Sequence, residues 1–488
     1  MKGEFGHWRE RNKLIAYVSP GFFVICLPRC SETISPCVIE KNKLLWIMKQ
    51  LQITSLLSML LLLVFSLSGC FQDKCTQTAT YYTYQPVYQS YETIRAAVKT
   101  EPARELKQPG KMYFKDSYIL ISEVNEGIHV INNQDPTNPV NEAFIVVPGN
   151  HDISAKGNVL YADSYMDLVT LDISNITQAA EVSRVQNVFE YGSWHIGLWA
   201  DPALGVAVDW EETQVVEETE CISGGGWGGC RNCFLESDGM VRDVALFASN
   251  SSFAPQAGNV TAGADVTTGV GGSMARFTIV NDYLYTVSNS TLTSYFIGTL
   301  TNPVVRTANG IGWGIETIFP YENRLFIGTT TGMLIYGLDN PNSPNFISSI
   351  SHVTSCDPVA VEGDYAYSTL RGGDPCGNTF NQLDVINISN IQSPVLEHTY
   401  PMSGPYGLGI RNNVLFICDG EEGLKIYDAT DKALITSNQL AHFPGIKAYD
   451  VIPMTNILLM IGEDGFYQYD YSDLKNIRLI GSIPVVAE

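Results

Sequence analysis

Tyr406-Gly-Leu-Gly-Ile-Arg, Val414-Leu-Phe-Ile-Cys-Asp, Gly423-Leu-Lys-Ile-Tyr-Asp and Leu434-Ile-Thr-Ser-Asn-Gln-Leu440 follow one another toward the C-terminal end of the chain. Each run is apolar and β-rich, and each is too short to be a core helix. The breaks between them, Asn412-Asn413, Asp419-Gly420 and Asp431-Lys432, are hairpin-turn chemistry. Four short strands joined by tight turns make one small antiparallel sheet. Such a sheet has two apolar faces and cannot cover them alone, so it must stack on copies of itself.

Copies are present, and they align on the third run, a five-residue strand ending in Asp or Asn. It appears as Ile128-His-Val-Ile-Asn132, Leu168-Val-Thr-Leu-Asp172, Leu383-Asp-Val-Ile-Asn387, Leu424-Lys-Ile-Tyr-Asp428 and Phe466-Tyr-Gln-Tyr-Asp470. Leu292-Thr-Ser-Tyr-Phe296 and Met333-Leu-Ile-Tyr-Gly337 lack the final Asx. The final residues lie 40, 124, 41, 50, 41 and 42 positions apart. A period near 40 with four strands per unit is the pattern of a β-propeller. The Asx closes the strand because its side chain can bond the backbone beyond it. Pro139, Pro303, Pro344 and Pro394 come next, in a turn where no ladder donor is needed. The expected fold is all-β: seven blades of four strands, with a long Gly-rich insertion between blades two and three.

These residues resemble the LVIVD repeat family of bacterial and archaeal surface proteins. Leu168-Val-Thr-Leu-Asp172 and Leu424-Lys-Ile-Tyr-Asp428 are the nearest to its motif, and the resemblance spans about residues 110–488. It implies a β-propeller and no defining catalytic residues.

The N-terminal part reads as an export signal. Met48-Lys-Gln-Leu-Gln-Ile precedes the apolar run Leu56-Leu-Ser-Met-Leu-Leu-Leu-Leu-Val-Phe65, and Leu67-Ser-Gly-Cys70 comes after it. A short charged start, an apolar run and a small-residue cleavage site define a secretory signal. Leu-Ser-Gly-Cys resembles the bacterial lipobox, which implies lipidation of Cys70. The alternative, a retained membrane helix, wants an apolar run of roughly 20 residues. Residues 1–47 have no place in an export signal and read as a mis-assigned leader, with translation starting at Met48. Residues 48–69 are then the signal peptide, 70–109 a tether and 110–488 the propeller. Phe71 after the Cys, where an Asp would retain the protein at the inner membrane under the enterobacterial rule, points to the outer membrane.

The chain holds 51 acidic and 29 basic residues, a formal charge of −22. No basic block is present to neutralise phosphates, so nucleic acid is not an expected partner. The expected partners are the membrane, through lipid on Cys70, and an envelope protein or glycan.

The insertion, about 187–270, begins with a hairpin expected over Leu204–Trp210 and Thr213–Glu217. It continues into Cys221-Ile-Ser-Gly-Gly-Gly-Trp-Gly-Gly-Cys230-Arg-Asn-Cys233. Cys356 and Cys376 bracket the extra residues of blade five, and a disulfide between them would pin that excess in an oxidising envelope. Cys221, Cys230 and Cys233 are candidates for a disulfide within the Gly-rich loop. Structural zinc needs four ligands, and only three of these cysteines are local. Cys418, inside an apolar strand, is expected as a buried free thiol.

No phosphate loop, nucleophile elbow, His-Glu-x-x-His or calcium loop occurs. No metal and no cofactor is expected. In a propeller the loops entering the innermost strands meet at one mouth of the channel. Counting back eight residues from each second strand gives His151, Ala275, Glu316, Asp357, Tyr406 and Tyr449. Counting back seven gives Asp152, Arg276, Thr317, Pro358, Gly407 and Asp450. His151, Asp152, Arg276, Glu316, Asp357, Tyr406, Tyr449 and Asp450 are the candidate ligand-binding set, suited to a cation or polar ligand. The plainer alternative is a rim of solvated side chains. The expected function is a lipid-anchored binding or scaffolding module, with no catalytic residues. The alternative is an envelope hydrolase or lyase working at the same mouth.

If Cys70 carries the lipid, Cys70→Ala accumulates an uncleaved precursor and abolishes acyl labelling. Metabolic labelling with a fatty-acid probe checks this, and equal labelling of the variant rules it out.

Overall fold

The computed structural model describes residues 76–190, 192–193, 198–220, 268–352, 358–373 and 380–486. Cys70, Asp357 and the disulfide candidates Cys221, Cys230, Cys233, Cys356 and Cys376 lie outside them. The chain divides into two compact units. One comprises residues 1–79 and 216–228, of which 76–79 and 216–220 are described. The other, residues 80–215 and 229–488, is a β-propeller.

Antiparallel meanders succeed each other along the propeller. The first sheet is Pro109–Lys115, Tyr118–Glu123, Gly127–Asn132 and Val140–Val146. The second is Ile153–Lys156, Val159–Ser164, Asp167–Asp172 and Ala180–Val185. After the insertion come sheets starting at Phe277, Ile315, Val359, Leu408 and Ala448, the last ending with Arg478–Pro484. Every Asx-type run read from the sequence is the third strand of one of these sheets. First strands touch in sequence order, and the first strand of the last sheet touches that of the first.

The local chemistry explains the turns. Between first and second strands the chain enters the left-handed region, at Asp116, Gly157, Asn281, Glu322, Gly363 and the pair Asn412-Asn413. After the third strand the terminal carboxylate or amide folds back. Asp172 Oδ1 accepts from Ser174 N at 2.8 Å, and Asn387 and Asp470 repeat this with Ser389 and Ser472. Pro139, Pro303, Pro344 and Pro394 stand one residue before their fourth strands. Each third-to-fourth pairing also carries a register shift, such as Ser294/Tyr295 and Gln468/Tyr469. A bulge there adds local twist.

Neighbouring sheets are joined through those turns. Tyr161 Oη donates to Leu300 O at 2.7 Å, Tyr285 Oη to Pro341 O at 2.9 Å and Gln468 Nε2 to Pro136 O at 2.9 Å. Tyr161, Tyr285 and Tyr367 are fully buried between sheets with aliphatic partners. Cys418 is a buried free thiol.

Four features differ from the sequence reading. Leu434–Asn438 is not a strand. Ile435 is buried against Tyr427, Leu415 and Ala429, which winds Ile435–Ser437 into a 3-10 turn and delays the fourth strand to Gln439–Phe443. The hairpin placed at Leu204–Glu217 is one continuous strand, Gly205–Glu220, whose short partner is Leu198–Asp201. The tether contains strands on either side of a short helix, which residues 91–98 had room to form. Thr76–Gln89 is a strand beside Gly205–Glu220, Tyr91–Ala96 is a short helix capped by Ser90, and Lys99–Pro102 extends the first sheet outward.

The fourth difference concerns the end of the Gly-rich stretch, which lies among the first strands rather than outside them. Thr268 bridges Lys156, Val270–Gly271 pairs with Phe114 and Tyr113, and Ser273 reaches Asp450. A Cβ on Gly272 would stand 2.0 Å from Asp450 Oδ2, so only glycine admits this approach.

The seam between first and last sheets is held by a reciprocal amide pair. Asn133 Nδ2 donates to Gln468 Oε1 at 2.9 Å and Gln468 Nε2 to Asn133 Oδ1 at 2.7 Å, both side chains buried. Gln468→Leu strands the Asn133 amide and is expected to destabilise by about 1–3 kcal/mol. Adding Asn133→Leu should cost less than the sum of the two single changes, as read by chemical denaturation.

Candidate functional site

The geometry of the mouth is set by where second strands end. Amides at or next to those ends bond back to the residue just ahead of the first strand of the same sheet: Asp163 N to Asp152 O, Val287 N to Arg276 O, Thr369 N to Pro358 O and Cys418 N to Gly407 O. Residues seven positions ahead of a second strand are therefore structurally equivalent. The structure brings His151, Arg276, Glu316, Tyr406, Tyr449 and Asp450 around one cavity of about 1050 Å³. Asp152 is buried behind them.

Three further residues belong here. Lys111 and Arg371 line the cavity, and Asp163 organises its wall. Lys111 was legible, since it stands seven positions ahead of the first sheet's second strand, Tyr118–Glu123. Arg371 comes just after the second strand Tyr365–Leu370, a place the counting rule does not sample.

Most carboxylates of the mouth are committed to the fold. Asp163 Oδ1 accepts from Asn150 Nδ2, His151 N and Asp152 N at 2.7–2.9 Å. Asp152 Oδ2 takes Lys111 Nζ and Arg276 N, both at 2.5 Å, while its Oδ1 takes Ile153 N at 2.9 Å. Asp450 Oδ1 takes Val451 N at 2.9 Å and the Ser273 hydroxyl at 3.1 Å. Asp152 and Asp450 thus do the same work on two sheets: each clamps its own strand and the residues that open the third sheet.

The cations are less committed. Arg276 Nε donates to Glu316 O at 3.2 Å, and its terminal amino groups have no partner among the described residues. The Arg371 guanidinium lies 4.1 Å from the Tyr406 ring centroid, a cation–π contact, with Nη1 3.4 Å from Tyr406 Oη. Desolvation lowers the Lys111 pKa, Asp152 opposes this, and Arg276 lowers it further. Desolvation also lowers the His151 pKa; Asp163 opposes, and Lys111 and Arg276 add to the fall. Positive charges here therefore disfavour one another.

Tyr406 and Tyr449, ring centroids 5.4 Å apart, separate this cavity from a side pocket of about 310 Å³. There Lys447 is neutralised by Glu421 and Glu463, each at 3.0 Å. Burial raises the Asp450 carboxyl to about 7, against the bonds from Val451 and Ser273.

Together these features define a β-propeller with a polar, aromatic-edged cavity at one mouth of its channel. The chain carries LVIVD repeats, which match residues 150–187 and 355–401. No curated protein matches it in sequence. Among solved structures it is similar to the computationally designed Ika8 protein, at 10% identity over 79% of this chain and 91% of that one, TM-score 0.45. BamB from Moraxella catarrhalis matches at 9% identity over 72% of this chain and 81% of its own, TM-score 0.40. PorZ of Porphyromonas gingivalis, described as an essential bacterial surface component of the type-IX secretion system, matches at 12% identity over 80% of this chain and 40% of its own, TM-score 0.42.

The Asp450 carboxyl gives a signed pH dependence. Its folded pKa lies above the unfolded value, so its contribution is complete below about pH 4 and is lost as pH rises toward 7. Thermal melts should show this decline, and Asp450→Asn should flatten it between those limits. An unchanged slope in the variant rules out Asp450 as its source.

Proposed function

We propose that this chain is a seven-bladed propeller, closed by its own C-terminal strand, that acts as a binding or scaffolding module of the bacterial cell envelope. Its ligand is a protein or glycan taken at the mouth cavity, and its anchor is lipid on Cys70, which the sequence points toward the outer membrane. The observation that carries the binding reading is the division of labour at the mouth. Asp152, Asp163 and Asp450 are spent on main-chain and internal donors, whereas Arg276, Arg371 and the two tyrosines face a cavity large enough for a ligand.

The hydrolase or lyase reading needs a carboxylate free to exchange a proton with substrate, and Asp152 and Asp450 are the pair it would use. Both are buried and clamped, which favours binding over turnover. The seven-blade reading rests on the order of first-strand contacts, which returns from the last sheet to the first. Disulfides among Cys221, Cys230, Cys233, Cys356 and Cys376 remain part of the proposal, and mass mapping of the exported protein tests them.

Asn289 is exposed on the cavity rim. Asn289→Trp should leave the melt unchanged and reduce capture of envelope material by at least about tenfold, because bulk at the rim blocks a concave site. Undiminished capture would place binding on another surface. Turnover of an envelope glycan or peptide, lost in His151→Ala, would favour the hydrolase.

A further inference from the structure

We propose that the mouth cavity takes an acidic oligosaccharide, its carboxylates held by Arg276 and Arg371 and its sugar rings lying against Tyr406 and Tyr449. This rests on the reading of the mouth as the binding site and names the ligand class.

The chain as a whole carries −22, so a surface chosen at random should be acidic. The cavity departs from that. Its lining carries Asp163, Glu190, Glu316 and Asp450 against Lys111, Arg276 and Arg371; Asp163 Oδ1 takes three internal donors, and Asp450, raised to about 7, is largely uncharged in mildly acidic solution. Lys111 is matched by Asp152. Arg276 and Arg371 have no carboxylate partner among the described residues. A guanidinium presents a planar fork of donors that fits a carboxylate two bonds at a time. Arg276 opens the third sheet and Arg371 comes after a strand of the fifth, so the forks come from different blades. A ligand with several spaced carboxylates suits that arrangement better than a single small anion.

The wall, in turn, favours a sugar over a peptide. Extended peptides bind propeller and sheet edges by adding a strand, which needs free main-chain donors and acceptors. On the first two sheets the innermost edge is already taken, by Val270–Gly271 against Phe114 and Tyr113 and by Thr268 against Lys156. The cavity offers instead a pair of half-buried tyrosine rings with Arg371 stacked on one of them. Aromatic rings give flat apolar contact with a polar edge, which matches the alternating faces of a pyranose.

Protonation of His151 adds a further positive charge. It faces Lys111, Arg276, Asp152 and Asp163, and its pKa lies below the ordinary histidine value in the free protein. An anion in the cavity would favour the charged ring, so binding and proton uptake should be linked.

The test uses the full chain solubilised in detergent, with a tetramer of galacturonic acid as probe. A galactose tetramer, hexaglutamate and inorganic phosphate are the comparisons. Calorimetry should show the uronate binding and the galactose tetramer failing to bind. Raising salt from about 0.05 to 0.5 M should weaken the complex at least about tenfold, as screening requires. Arg276→Gln and Arg371→Gln should each weaken it about tenfold or more with the melt unchanged, consistent with loss of a charge-assisted pair. Affinity should rise from about pH 7.5 to 5.5, as Asp450 loses its charge and His151 gains one; His151→Gln should reduce that rise, and His151→Gln with Asp450→Asn should remove it. Equal binding of the neutral tetramer, preference for hexaglutamate or phosphate, or binding of none of the four probes overturns the proposal. If the uronate fails while Asn289→Trp still abolishes capture of envelope material, the mouth remains the binding site and only the ligand class falls.

Discussion

Everything in this fold depends on the contact by which a side chain of one sheet bonds the main chain of a turn in the next. Tyr161 to Leu300, Tyr285 to Pro341, Ser294 to Asn342, Ser348 to Ile391, Tyr400 to Lys432 and Gln468 to Pro136 are among the instances. A four-stranded sheet has two apolar faces, and only its neighbours can cover both. The buried hydroxyls and amide fix how far each sheet rotates against the next, because an unmet polar group at that depth is costly. The prolines of the same turns leave no unmet main-chain donor at their own positions.

The mouth inherits its order from that stacking. Asp152 and Asp450 repeat one task, holding a first strand and reaching across to the residues that begin the third sheet. Ser273 joins them from the opposite direction, bonding Asp450 and accepting from Leu408 N. The Gly-rich approach to the third sheet therefore ties the second, sixth and seventh sheets together at the place where the cavity opens. Glycine is required where it passes the carboxylate, since any Cβ at Gly272 would collide with it.

That arrangement also separates structural from available charge. Acids near the mouth are drawn into strand ends that would otherwise leave amides unpaired. Arginines on the same wall are long enough to extend past those ends. The cavity thus carries a local charge character unlike that of the whole molecule.

The sequence by itself determined the repeating unit. The Asx at 132, 172, 387, 428 and 470 act through bonds to residues two positions away, and the prolines ahead of the fourth strands act through their own missing donor, so local chemistry suffices. The equivalence of mouth residues was also legible, because the offset from the mouth to the start of the second strand repeats from sheet to sheet; Lys111 fell to the same count. Only the tertiary structure decided the rest. Ile435 could have continued a strand, and a pocket beside Tyr427 turned it into a 3-10 turn. Val270–Gly271 carries no strand signal and became one because an unpaired inner edge of the first sheet was waiting for it. The roles of Asp152, Asp163 and Arg276 were set by which donors stood within about 3 Å, a distance that depends on residues far apart along the chain and on no pattern within it.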